Sequence, residues 1–239
     1  MKLIADLHTH TIASTHAYAT VTEMANEASK LGLFAIAITD HARTMPGAPG
    51  PFYFESLGIL PEYLQGVRLL RGIEANICDY DGNIDVEASL QQQLDWIVAS
   101  MHTITLDGKA TVEKCTNAYL KLAENPSVNV IGHSGSNYFK YDYEKVIPAF
   151  AKNGKLVEIN DSAFRYGRDY VGNCVTIAKL CKKYGARICV DTDAHFTNTL
   201  GRAYKTLEIL EDIDFPEKLI VNTSVENLKA YFDEKNISY

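Results

Sequence analysis

"DLHTHTIASTH", residues 6–16, stands at the end of a short apolar run and holds three histidines. Side chains two apart on an extended strand share a face, so the alternation predicts His8 and His10 on one side and Leu7 on the other. A single histidine is most often a structural residue. A pair at a strand end presents two neutral nitrogen donors side by side, as zinc prefers. The stretch therefore indicates a metal-binding strand end.

Strand-like and helix-like segments alternate along the rest of the chain. The strand-like segments are "KLIADL" (2–7), "FAIAIT" (34–39), "RLLRGIE" (68–74), "WIVASM" (96–101), "VNVIG" (128–132), "LVEIN" (156–160) and "RICVDT" (187–192), with a weaker eighth at "LIVNT" (219–223). The predicted helices cover 20–32, 54–65, 86–94, 111–124, 143–152, 171–184, a segment near 207, and 224–234. Repeated strand-then-helix units indicate parallel strands, and this number of strands favours a closed barrel over an open sheet.

Residues that bind metals stand where nearly every predicted strand ends. These strand-end residues are His8, His10, His41, Glu74, His102, His133, Asp193 and His195; the seventh histidine, His16, follows the first strand in its loop. Active sites of parallel barrels form at the carboxyl ends of the strands. Clustered imidazoles without a metal would leave buried donors unsatisfied and would repel one another when protonated. The pattern therefore predicts a metal centre at this end.

The motifs "DLHTH" with His16, "TDH", "GIE", "MH", "GHSG" and "DTDAH" occur in an order that resembles the PHP (polymerase and histidinol phosphatase) superfamily, especially its stand-alone bacterial phosphatases. The likeness runs from Asp6 to about Gly201 and includes a proline- and glycine-rich loop at 40–54. It implies an α/β fold, one distorted TIM-like (β/α)7 barrel over residues 1–239. It departs from that branch at Asp161 and Ala163, where asparagine and serine are usual.

The resemblance also implies a trinuclear site of divalent metals, most often zinc, with manganese or iron as alternatives. Its three implied ligand groups are His8, His10, Glu74 and Asp193; Glu74, His102 and His133; and His16, His41 and His195. Glu74 and Asp193 are implied to hold the metal-bound hydroxide. Nine side chains with one bridging carboxylate make more bonds than two metals accept while keeping a place for water, and three metals accommodate them.

Such a centre suits hydrolysis of phosphate monoesters of a small molecule, because neighbouring cations activate water and neutralise the charge of the transferring group. Histidinol-phosphate phosphatase and phosphodiesterase or nuclease activity are the alternatives within the family. An amidohydrolase-like C–N hydrolase is disfavoured, because that class usually places a lysine at a middle strand end, where this chain has Glu74 and His102. A non-catalytic metal-binding protein is the remaining alternative.

Residues in the loops after the strands supply candidates for substrate contacts. Four arginines lie in these loops: Arg43, Arg165, Arg168 and Arg202. Of these, Arg43, Arg165 and Arg202 are predicted to bind the phosphate, since arginine pairs bidentately with its oxygens. The aromatic residues Tyr138, Phe139 and Tyr166 are interpreted as loop packing in preference to pocket walls. Candidates for orienting the imidazoles, or equally for capping loops, are Asp6, Asp40 and Asp191.

Composition limits the partners and the compartment. The formal net charge of −7, from 23 basic and 30 acidic residues, argues against a nucleic-acid-binding face. No signal-like or membrane-spanning apolar run is present, so we expect no membrane partner and a cytoplasmic location. The five cysteines show no CxxC spacing and are expected to be buried free thiols. The sequence is compatible with a homo-oligomer.

Overall fold

The computed structural model describes residues 1–106 and 108–239 and consists of strands alternating with helices. The strands are β1 (Ala5–Thr9), β2 (Ala35–Ile38), β3 (Tyr63–Leu64), β4 (Val67–Asn76), β5 (Trp96–Ser100), β6 (Val130–Ile131), β7 (Leu156–Glu158) and β8 (Ile188–Cys189). The helices are α1 (Val21–Leu31), α2 (Pro51–Glu55), α3 (Ala88–Gln91), α4 (Val112–Ala123), α5 (Tyr143–Lys152), α6 (Asp161–Arg165), α7 (Val171–Tyr184), α8 (Tyr204–Asp212) and α9 (Val225–Lys235).

Seven strands pair in parallel in the order β1-β2-β4-β5-β6-β7-β8, and β3 adds an antiparallel hairpin on β4. The sheet curls so that its first and last strands approach each other, with a parallel bridge between Thr9 and Ala194 beyond the end of β8. Asn222 joins them, because its Nδ2 donates to the carbonyls of Ala5 (3.0 Å) and Val190 (2.7 Å). The predicted eighth strand at 219–223 is therefore reduced to one bridge between Ile220 and Ile188. The architecture is the expected distorted TIM-like barrel.

The barrel interior is apolar at its amino-terminal end. Ala35 and Ala37 face this interior, while Ile36 and Ile38 pack outward against α1, as the alternation predicts. Helix α9 covers this amino-terminal end of the barrel, where Tyr231 contacts Trp96 edge to face with ring centroids 5.8 Å apart. Apolar packing thus occupies the lower half and leaves the carboxyl ends of the strands to polar side chains.

The alternation predicted for β1 is wrong at one point. β1 carries an extra residue relative to β2 between Asp6 and Thr9, which is a β-bulge. Leu7 packs in the interior cluster, and the next residue, His8, also reaches interior carboxylates. The bulge therefore turns His8 inward on the same side as Leu7.

Two predicted helices are shorter than expected. The segment 54–65 holds only the end of α2, a short 3-10 turn and β3, because Pro61 cannot donate a helical hydrogen bond and the chain reverses at positive φ at Gln65 (56°) and Gly66 (78°). Helix α3 covers four residues of 86–94. By contrast, α1 has the predicted capping box between Thr20 and Glu23.

Among the residues that the structure describes, none of the helices combines the length and apolar character needed to cross a bilayer. All five cysteines are free, as predicted, and four of them are buried.

Candidate metal centre

Glu74, at the carboxyl end of β4, is fully buried and lies among five imidazoles. Its two oxygens face different histidines. The Nε2–Oε1 distances are 3.4 Å for His8, 3.4 Å for His102 and 3.0 Å for His133; Oε2 lies 2.6 Å from His41 Nδ1 and 3.6 Å from His10 Nε2. Each oxygen of Glu74 therefore faces its own set of imidazoles.

Asp193 and the remaining histidines complete the cluster beside Glu74. Asp193 Oδ1 is 3.1 Å from His10 Nε2 and 3.5 Å from His195 Nδ1. His16 Nε2 lies 3.1 Å from His41 Nε2, and its ring centroid is 4.7 Å from that of His195. The structure therefore brings together all nine residues predicted to bind metal.

Three triplets have ligand atoms that all lie within 4.8 Å of one another, and they match the grouping implied by the family resemblance only in part. One triplet joins His8, His10 and Asp193, as implied. The other two are His10, His41 and His195, and His41, Glu74 and His102. His41 thus stands between two groups, with Nδ1 toward Glu74 and Nε2 toward His16.

The cluster contains buried polar atoms that make no hydrogen bond of suitable geometry among the described residues, although two pairs of them lie only 2.6 and 3.1 Å apart. They are His8 Nε2, both ring nitrogens of His10, His41 Nδ1, Glu74 Oε2 and Asp193 Oδ1. Such atoms are costly to bury unless something satisfies them. Imidazole nitrogens and carboxylate oxygens are the donors that zinc and related divalent metals take. The residues therefore fit divalent cations.

A further layer of side chains orients the imidazoles. His8 Nδ1 donates to Glu158 Oε1 (2.7 Å), and His102 Nδ1 donates to Asn76 Oδ1 (2.8 Å), whose amide in turn donates to Asp85 (2.9 Å). With Nδ1 donating outward, each Nε2 lone pair is left facing the centre. Sequence reasoning missed Glu158 and Asn76, although Glu158 ends a strand and Asn76 lies two residues beyond Glu74.

The three aspartates considered for this orienting role hold backbone and loops instead. Asp40 accepts from Thr11 N (2.8 Å) and from the Tyr53 hydroxyl (2.7 Å). Asp6 accepts from Gly201 N (2.8 Å). Asp191 accepts from Leu7 N (2.7 Å) and helps to close the barrel. Their capping interpretation is the one that the hydrogen bonds support.

Burial and mutual attraction shape the charges in the cluster. Burial alone would raise the pKa of Glu74, but His41, His8 and His102 hold it well below its usual value. Burial likewise opposes protonation of His133, yet Glu74 and Glu158 raise its pKa to about 9. Glu74 is therefore ionised at neutral pH and attracts cations.

Two of the ligand positions have unusual backbone conformations. His133 and Asp193 take positive φ values of 23° and 53°, which non-glycine residues rarely adopt. The backbone N–H of His133 donates to Glu158 Oε2 at 2.5 Å, so the carboxylate that orients His8 also supports this strained position. Strain retained in this way is typical of functional sites.

A pocket of about 350 Å³ opens beside His16, Asp193 and His195, and of the three predicted phosphate-binding arginines only Arg165 lines it. Arg43 instead pairs with Glu87 at 3.3 Å and Arg202 with Glu27 at 2.6 Å. Neither is brought to the pocket.

The three aromatic loop residues, Tyr138, Phe139 and Tyr166, do not all act as loop packing. Tyr166 lines the pocket, so its interpretation as loop packing is wrong. Phe139 is buried in the core as loop packing predicts, and Tyr138 is exposed outside the pocket lining. Tyr18 and Phe196, which also line the pocket, were missed, because nothing local in the sequence shows where loop side chains point.

A parallel barrel with a buried histidine and carboxylate centre at its strand ends defines a metal-dependent hydrolase. The PHP domain model matches residues 6–162, and the chain belongs to this family. A probable phosphatase of Acetivibrio thermocellus is 44% identical over 98% of this chain and 97% of that protein. A probable phosphatase of Clostridium novyi is 40% identical over 98% and 96%, respectively.

The solved structures show the same fold at lower identity. Histidinol phosphate phosphatase from Lactococcus lactis, crystallised with zinc, L-histidinol and phosphate, superposes with a TM-score of 0.62 at 18% identity, over 89% of this chain and 94% of that one. A putative histidinol phosphatase from Listeria monocytogenes gives 0.63 at 19% identity, over 84% and 99%.

Proposed function

We propose that this chain hydrolyses phosphate monoesters of a small molecule at a site of three divalent metals. Zinc is the metal we favour, with manganese or iron as alternatives. Its family and its probable-phosphatase relatives make it a phosphatase, a class of hydrolase. The observation that carries the finer proposal is the two-sided environment of Glu74, whose oxygens face separate sets of imidazoles. A single carboxylate so placed serves two cations at once.

The nine ligands would hold the metals, which when bound activate water and neutralise phosphate oxygens. Glu74 would bridge two of them, and Asp193 Oδ1, which has no hydrogen-bond partner among the described residues, would orient the attacking water together with Glu74. Arg165 would bind the phosphate from the pocket side. Its guanidinium is held by Asp161 at 2.6 Å, so little side-chain freedom is lost on binding.

Arg43 and Arg202 stay predictions as substrate ligands. Unlike Arg165, neither of them lines the pocket, and they are paired with Glu87 and Glu27 respectively. Arg202 also donates to the carbonyls of Thr197 and Leu200, both at 3.1 Å, which favours a role in holding the loop after β8.

The alternatives differ in what the pocket would have to offer. A C–N hydrolase of the amidohydrolase type usually has a lysine at a middle strand end, where this chain has Glu74 and His102, and none of the described residues lining the pocket is a lysine. We also propose a cytoplasmic location, because free cysteines suit a reducing compartment. Association with nucleic acid is disfavoured by the net charge of −7.

A panel of phosphate monoesters, phosphodiesters and amides, run on protein of measured metal content, tests this function. We expect turnover of monoesters that chelation abolishes and that added zinc or manganese restores. Hydrolysis of amides alone would assign the rival class. Full metal content without turnover of any member would assign a metal-binding protein instead.

A further inference from the structure

We propose that the preferred substrate has a planar leaving group that carries a second negative charge at the end remote from the scissile phosphate. This inference rests on the proposed phosphatase function and deepens it by naming the class of leaving group. It comes from the pocket beside the metal centre, whose lining combines exposed aromatic rings with an arginine that has no acidic partner among the described residues.

Three large aromatic side chains line this one pocket. Tyr18 is 72% exposed, Tyr166 61% and Phe196 47%, so they are not there to fill a core. Two of them are tied to a metal ligand: Tyr18 N donates to the carbonyl of His195 (2.9 Å), and Phe196 follows His195 directly. Rings held next to the centre are placed to stack on, or meet edge to face, a planar group attached to a bound phosphate.

Apart from Asp193 and the histidines, the charged side chains that line the pocket are arginines, in contrast to the acidic chain as a whole. Arg165 is neutralised by Asp161, whereas Arg168 makes no ion pair with any acidic residue in the described part of the chain. Its guanidinium lies 5.6 Å from the Tyr166 ring centroid, which places it over the aromatic surface. Among the described lining residues, the one carboxylate is Asp193, already part of the metal cluster.

These charges discriminate between kinds of leaving group. A leaving group that carries an ammonium, such as histidinol, would meet Arg168 and no free carboxylate in the described lining. A ring that carries a carboxylate or a second phosphate would meet an unpaired guanidinium and aromatic faces. The pocket therefore selects an anionic, planar leaving group over a cationic one.

Four esters of primary alcohols test this, because their similar leaving-group chemistry makes kcat/KM report recognition. They are benzyl, cyclohexylmethyl, 4-carboxybenzyl and 4-(aminomethyl)benzyl phosphate. We expect benzyl phosphate to exceed cyclohexylmethyl phosphate by roughly threefold to tenfold, the value of an aromatic contact. We expect the carboxylate ester to exceed the ammonium ester by at least about tenfold, as a charge-assisted contact implies.

Matched variants locate the preference. Arg168→Gln is expected to lower the ratio of carboxybenzyl to benzyl kcat/KM by about tenfold, and Tyr18→Leu to lower the benzyl to cyclohexylmethyl ratio only in part, because two of the three lining rings remain. The control is Arg187→Gln, which removes an arginine paired with Glu234 next to the amino-terminal end of β8 and should change neither ratio. The corresponding non-hydrolysable phosphonates, measured by calorimetry, are expected to bind in the same order.

The outcomes separate this inference from the function on which it rests. Hydrolysis of all four esters without preference, or with preference for the ammonium ester, overturns the inference and leaves the phosphatase proposal standing. A carboxylate preference that survives in Arg168→Gln overturns the role of Arg168. Hydrolysis of none of the four by metal-loaded protein overturns both.

Discussion

Replacing Glu158 with glutamine should weaken metal binding, although Glu158 is not expected to be a ligand. Its oxygens have separate donors: Oε1 accepts from His8 Nδ1 at 2.7 Å, and Oε2 accepts from His133 N at 2.5 Å and from Asn160 Nδ2 at 3.2 Å. A carboxylate accepts at both corners, but an amide accepts at one and donates at the other.

The glutamine is expected to keep its oxygen toward His133 and Asn160, because two donors converge there. Its NH2 group then faces His8 Nδ1, which has to accept, so the neutral ring carries its proton on Nε2. That nitrogen points at Glu74 Oε1 across 3.4 Å, and once protonated it has no lone pair for a cation. Losing this charge-assisted hydrogen bond should weaken the free energy of metal binding by about 1.5–3 kcal/mol, which is roughly a tenfold to hundredfold loss of metal affinity.

The assay is competition for zinc against a chromophoric chelator, with total metal measured by mass spectrometry after dialysis. We expect weakened affinity at one site and unchanged helix content by circular dichroism. Glu144→Gln is the matched control, since Glu144 is an exposed carboxylate that pairs with Lys183 on the outer helices. Affinity equal to that of the unaltered protein in Glu158→Gln would refute the tautomer argument.

The other predictions concern the bridge, the metal count, a buried lysine and nucleic acid. Glu74→Gln should lower kcat by at least about a hundredfold and empty two metal sites together. His16→Ala should remove about one metal, and excess metal should partly restore its activity. Normal turnover at full metal content in Glu74→Gln would exclude Glu74 as the bridge. Purified protein should carry more than two equivalents of transition metal, and one equivalent or less in fully active protein would contradict a trinuclear centre. Burial, reinforced by Lys235, lowers the pKa of Lys155 from 10.5 to about 8. The unfolded chain therefore binds more protons between these values, and the free energy of unfolding rises with pH there. Lys155→Met should remove this rise, about 3 kcal/mol, in urea titrations at pH 7.5 and 10.5, and parallel profiles of the two proteins would argue against it. Duplex DNA should bind weakly even at low salt, because 23 basic residues face 30 acidic ones; submicromolar binding near physiological salt would overturn this.

Local patterns predict much of the barrel because they depend on neighbours in sequence. Ile36 and Ile38 face α1 as their spacing requires, and Thr20 caps that helix. The segment 54–65 fails the same reasoning, because an apolar run interrupted by Pro61 and followed by Gln65-Gly66 folds as a hairpin through its pairing with β4.

The sequence by itself determined the chemistry of this protein: ligand-type residues at the ends of parallel strands meet at one edge, so the strand ends that carry His8, Glu74 and His133 had to converge. Only the tertiary structure decided how those residues are held and what surrounds them. The bond from His8 to Glu158 joins residues 150 apart, and that from Leu7 to Asp191 joins residues 184 apart. Contacts over such separations depend on barrel closure and on a bulge in β1, and they leave no periodic trace in the sequence. The same holds for Arg168 and Tyr18, which lie in loops outside any strand or helix period and are brought to one pocket by the fold.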